Sequence, residues 1–65
     1  MQKIIYYVIY NHKRDGYLHN SGIKTIWDNN VLNADKFFSE DDIRETIRWF
    51  PKNEVEIKTI ELVIK

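Results

Sequence analysis

Cysteine is absent from these 65 residues. Disulfides and thiolate metal sites are thereby excluded, and a reducing interior is compatible with the chain. Only two glycines and one proline occur, so no Gly-rich phosphate loop can be built. No run approaches the roughly 18 apolar residues that a membrane-spanning helix needs. Residues 1–10 do not read as a secretory leader, because Ile and Tyr fill the short apolar stretch and no small-residue cleavage site follows. The expected location is therefore cytoplasmic. Net charge is missing as well, with ten basic residues against ten acidic ones. A chain without a basic field is a poor general binder of nucleic acid.

What is present is concentrated at the two ends. Residues 3–10 read KIIYYVIY and residues 55–64 read VEIKTIELVI. Both segments are rich in the β-branched and aromatic types that fit a pleated, half-buried surface. The first is apolar on both alternating faces: Ile4, Tyr6, Val8 and Tyr10 on one, Ile5, Tyr7 and Ile9 on the other. Strands covered on both sides have that pattern. A single domain of this size buries only about 60% of its unfolded surface, so it has little material for two covers. One aromatic-rich face is expected to seek cover from outside the chain, or from residues 28–38 folding back over it. In the last segment Val55 and Ile57 share one parity, while Ile60, Leu62 and Ile64 share the other. Either a bulge near residues 58–60 keeps one buried face, the preferred reading, or this strand too is apolar on both sides.

Between the ends lies a chain of short elements. Residues 11–16 (NHKRDG) form a turn, with Asp15-Gly16 as its sharpest mark because glycine accepts positive φ. Residues 17–19 read as a second strand, residues 20–22 as another turn, and residues 23–27 (IKTIW) as a third strand. Connections this short join antiparallel neighbours. Residues 31–36 have room for one helical turn, and Phe37-Phe38 for a short extended piece. Ser39 then caps the clearest helix, with Glu40, Asp41 and Asp42 at the positive end of its dipole. Ile43, Ile47 and Phe50 form one apolar stripe, and Pro51 stops the helix. The expected fold is α+β: a small, mainly antiparallel sheet of about four strands, β-β-β-α-β, in one domain over residues 1–65, with one helix on one face. If the last strand pairs beside the first, the two are expected to run parallel, joined through the helix.

Charge is unevenly spread. Residues 1–27 hold Lys3, Lys13, Arg14 and Lys24 against Asp15, or four minus one, +3. Residues 28–50 hold six acids against Lys36, Arg44 and Arg48, or three minus six, −3. The basic hairpin offers Lys13 and Arg14 for phosphate, with Tyr17 to stack on a base and His19 beside it. The plainer reading is a solvated turn and a half-exposed strand. His12 and His19 alone fall short of the three or four ligands that zinc takes. Asp28, Asp35 and residues 40–42 lack the spacing and central glycine of a calcium loop, and helix capping accounts for Glu40, Asp41 and Asp42. No Ser or Thr has an evident His partner in sequence. No catalytic, cofactor-binding or metal-binding residue is therefore expected, and the chain reads as no enzyme.

Trp49 lies about 120° from the centre of the helix stripe. It is either packing at the core's edge or an exposed anchor of the kind enriched in interface hot spots. With Tyr7 and Ile9 on the second face of the first strand, it forms the candidate protein-binding set. The leading expectation is a non-enzymatic binding module for a protein partner, alone or as a homodimer. The second is a nucleic-acid binder using Lys13, Arg14, Tyr17 and His19. The third is a small-ligand site or enzyme across a dimer seam.

The succession YYVIYN, DGYL, TIWDNN, ADKFFSEDDIRETI and a closing VEI strand resembles small accessory proteins of phages and prophages of Gram-positive, AT-rich bacteria. Frequent Lys, Ile and Asn with rare Ala agree with that resemblance. It implies a small α+β protein made by a virus to bind or inhibit a host protein, host-defence proteins included. It implies no functional residue.

Overall fold

The computed structural model describes residues 2–20, 22 and 24–65. The apolar N-terminal segment forms strand β1, Gln2–Asn11. Asn11 then organises the first turn. It is buried, and its Oδ1 accepts the backbone N–H groups of Lys13 and Arg14, each at 2.9 Å. Asp15, not Gly16, takes the positive φ, at 52°. Gly16 serves a different need: a Cβ there would lie 2.8 Å from the backbone carbon of Trp27. Strand β2, Gly16–Asn20, leads to β3, Thr25–Asp28. Ser21 and Ile23, in the expected second turn and at the expected start of the third strand, lie outside the described residues.

The sheet order is β3-β2-β1-β4, with every neighbouring pair antiparallel. β4, Val55–Ile64, follows the single helix α1, Glu40–Ile47. The β-β-β-α-β order and the antiparallel sheet of four strands with one helix are as expected. The parallel pairing of first and last strands is not. Residues 29–39 run back along the sheet as a strap, antiparallel to β1, and make one crossing before the helix begins. α1 then makes the return crossing, so β4 starts beside the end of β1 and runs against it.

The strap occupies a split in the sheet. β1 and β2 pair only at Tyr10–Tyr17 and Asn11–Gly16 and then diverge. Phe37 fills the gap by exchanging two backbone bonds with Tyr7, at 2.7 and 2.9 Å, while the Asp35 N–H donates to Leu18 at 2.9 Å. Within the strap, Val31–Asn33 forms a short 3-10 turn capped by the Asn30 side chain, the helical turn expected there. Tyr6, Val8 and Ala34 are buried on the strap side of the sheet, with Tyr17, Val31 and Ile60 packed against them.

α1 covers the opposite face. Ser39 caps it by accepting the Asp42 N–H. Ile43 is fully buried with Ile9, Leu18 and Val55, and Ile47 and Phe50 pack around them as the stripe predicts. The helix ends earlier than Pro51. After Ile47 the chain tightens, with Trp49 and Phe50 donating to carbonyls three residues back. That turn brings Phe50 edge-on to Trp27, ring centroids 5.2 Å apart.

β4 carries no bulge. Its register with β1 is unbroken from Gln2–Ile64 to Asn11–Val55. The parity switch in its sequence therefore reflects a strand that is apolar on both sides. Val55 and Ile57 share the helix face with Ile9, while Ile60, Leu62 and Ile64 share the strap face with Ile4 and Tyr6.

Candidate functional site

The covers are shorter than the strands they cover. Eight helical residues span about 12 Å at 1.5 Å per residue, whereas ten strand residues span about 33 Å. The molecule measures 37 × 23 × 22 Å, so the β1–β4 ribbon sets its long axis. α1 and the strap both sit over the half of the ribbon that contains Tyr6–Asn11, and on β4 that cover leaves Ile57 37% exposed. The other half is left bare on both faces.

That free end is built from alternating apolar residues on two paired strands. Ile4 faces Leu62, and Gln2 faces Ile64, on one side. Ile5 faces Glu61, and Lys3 faces Val63, on the other. Ile4, Ile5, Leu62, Val63 and Ile64 are all exposed, Ile5 by 50% and Val63 by 47%. The Lys3 ammonium and Glu61 carboxylate, 3.1 Å apart, form an ion pair on this end, and both are solvated. Phe38, exposed where the strap leaves β1, approaches the Tyr6 ring at 6.0 Å and extends the apolar surface on the strap side.

The residues singled out from sequence are placed differently. Ile9 is fully buried beneath α1 and cannot touch a partner. Tyr7 packs against the same cluster, and its hydroxyl donates to Glu40 Oε1 at 3.1 Å. That bond favours the neutral phenol and raises the Tyr7 pKa. Ile9 belongs to the core and Tyr7 packs at its edge because α1 lies on their side of the sheet. Trp49 is 86% exposed, which answers the choice between packing and exposure. It stands away from the ribbon's free end. Its surroundings form a half-open cleft of about 540 Å³ with walls from β2, β3, the strap and the helix, including Leu18, Asp35, Phe37 and Phe50.

The basic hairpin does not make a basic surface. Lys13 lies 3.6 Å from Glu54, and His12 lies 3.4 Å from Glu56. Asp15 accepts the Tyr10 hydroxyl, which raises the Tyr10 pKa. Arg14 is exposed at the hairpin tip, its N–H tied to Asn11. Tyr17 is half-buried and packs on Tyr10, centroids 5.0 Å apart. His19, at the far end of β2, faces Asp35 at 3.7 Å. Lys13 and Arg14 therefore share the tip, while Tyr17 and His19 lie along the strand behind it. Among the described residues, no group of three or more His, Cys, Asp and Glu is placed to hold a metal ion. No described helix is long and apolar enough to cross a membrane.

Of the apolar residues of β1, Ile9 is buried and Tyr7 half-buried, whereas Ile4 and Ile5 are exposed. Covered and bare surface divide along the length of β1, not between its faces. One signal was available: the parity switch in β4 leaves Leu62, Val63 and Ile64 as three consecutive apolar residues at a strand end. No family model, curated protein or solved structure matches this chain.

Proposed function

We propose that this chain is a non-enzymatic, protein-binding module of the phage-accessory kind, and that the free end of the β1–β4 ribbon is its contact surface. The observation that carries the reading is the exposure of Ile4, Ile5, Leu62, Val63 and Ile64 on two paired strands. Contiguous apolar surface of this sort marks interaction sites in soluble proteins. A β-ribbon also offers backbone groups along its edge, so an extended segment of a partner can add to it. A host protein is the expected class of target. The acids around the hairpin weigh against the nucleic-acid reading, which would need a net basic surface.

The test compares immobilised wild-type protein with the double variant Ile4→Lys, Leu62→Lys in capture of proteins from a host-cell extract. Both residues are exposed and lie outside the core, so the fold should survive, as circular dichroism will check. A protein retained by the wild type and released by the double variant is the expected result. Equal retention by a folded double variant would overturn the assignment of this surface.

A further inference from the structure

We infer that the partner of the ribbon's free end is a second copy of this chain, joined antiparallel through the outer edge of β4 into one continuous eight-stranded sheet. The inference rests on the protein-binding reading above and places a second copy, in place of a host protein, on this surface.

Surface area is the first argument. The chain exposes 5047 Å², whereas a monomer of 7.9 kDa is expected to expose about 4,400 Å². The excess, about 600 Å², approaches the roughly 800 Å² that each partner contributes to a standard interface. The radius of gyration agrees: it is 12.0 Å, against about 10.7 Å expected for a domain of this length.

Edge geometry is the second. Tyr7 exchanges backbone bonds with Phe37, so the odd residues of β1 point away from β4 and the even ones point towards it. The unbroken register carries this alternation to β4, where Val55, Ile57, Thr59, Glu61 and Val63 present their N–H and C=O groups outward. Among the described residues, no backbone bond outside the β1 pairing reaches these groups. β4 is the longest free edge. The opposite edge of the sheet, β3, has four residues, and β1 is closed at Tyr7 by Phe37. Natural edges carry charges to block pairing. Here Glu56 and Lys58 guard the half nearer the helix, whereas the outer half carries one acid, Glu61, already paired with Lys3, beside the apolar run Leu62, Val63 and Ile64.

Self-complementarity is the third. A two-fold axis at Leu62 sets Leu62 against its own copy and Ile60 against the copy's Ile64, on the face that already carries Ile4. On the other face Glu61 meets the copy's Val63, and Thr59 meets its Lys65. Moving the axis inward to Glu61 would oppose two carboxylates, which is destabilising. Moving it outward to Val63 would leave Ile60 without a partner. This pairing sends the helix-bearing ends in opposite directions, so they do not collide. With zero net charge, no overall repulsion opposes it. The contact is isologous and closes at two copies.

Light scattering on purified protein across a wide concentration range is the test, with three single variants. The expected wild-type mass rises to twice 7.9 kDa. Val63→Pro removes only an outward N–H, leaves the β1–β4 bonds intact, and should hold the mass at that of the monomer. The chain has no cysteine, so Leu62→Cys should form a covalent dimer under mild oxidation, while Lys58→Cys should not. The cross-link does not depend on Val63→Pro folding. A wild-type mass of one chain at every concentration overturns the inference. So does a dimer that Val63→Pro leaves intact, or one in which Lys58→Cys cross-links as readily as Leu62→Cys. If the chain is monomeric yet captures another protein through Ile4 and Leu62, the ribbon reading stands and self-association alone is withdrawn. If it is monomeric and captures nothing through them, both fall.

Discussion

Asn11 and Gly16 show two polar-looking turn positions acting for different reasons. Asn11 is buried because its side chain supplies the acceptor that the hairpin's first N–H groups need. Gly16 is needed for space rather than for positive φ. Gly16→Ala places a Cβ 2.8 Å from the Trp27 backbone, where only main-chain movement can relieve it. The expected loss is about 1–3 kcal/mol, read from the denaturant midpoint. Titration gives a second residue-scale expectation. The Asn30 N–H and the Asn33 amide both donate to Asp28 and lower its pKa. A lowered folded pKa adds stability above the unfolded value, and that stability is lost as pH falls through the folded one. Melting temperature should therefore drop below about pH 4, and Asp28→Asn should flatten that part of the profile. Tyr7 and Tyr10 run the other way. Their pKa values are raised by bonds to Glu40 and Asp15, so their contribution holds below about pH 10 and fades above it. Tyr7→Phe and Tyr10→Phe should each reduce the alkaline loss of stability.

At the scale of elements, the helix and the strap are the two covers, and each is anchored by few residues. Ile43 is the buried centre of α1, and Ile43→Ala should cost about 2–5 kcal/mol in chemical denaturation. Ser39→Ala removes the cap, with an expected loss at the low end of about 0.5–2 kcal/mol, because the bond to Asp42 is long at 3.4 Å. The helix was legible in sequence because capping residue, acidic first turn and apolar stripe agree on one span. The strap was legible only as an alternative. Phe37 earns its place by pairing with Tyr7 across a gap in the sheet, and nothing local in residues 28–38 announces a gap formed by strands elsewhere. The bulge expected in β4 failed for a related reason. A parity switch means a bulge only if one face stays buried throughout, and β4 passes from the helix cover at Val55 to open solvent at Ile64.

For the whole molecule, the decisive relation is between lengths. A ribbon of about 33 Å cannot be covered by a helix of about 12 Å, so part of it must be bare or shared. Hydrogen exchange offers a reading at this scale. Alternate amides at Tyr6–Asn11 and along the facing part of β4 should be the most protected, because packed layers hold the ladder there. The Glu61 and Val63 amides, which point outward, should exchange freely in dilute protein and become protected as concentration rises. Protection of these two that does not vary with concentration would contradict the eight-stranded sheet.

The amino-acid sequence by itself determined which segments pair and which coil, because alternation, capping and turn chemistry are local properties. It also determined that apolar strand surface would exceed its cover, because that follows from counting residues. Only the tertiary structure decided where the surplus lies. The strap took one crossing of the sheet, reversed β4 relative to β1, and put both covers over the same half of the ribbon. The path of the chain through space therefore buried Ile9, half-buried Tyr7 and exposed Ile5, Leu62 and Val63, although residues of both sets belong to the same two strands.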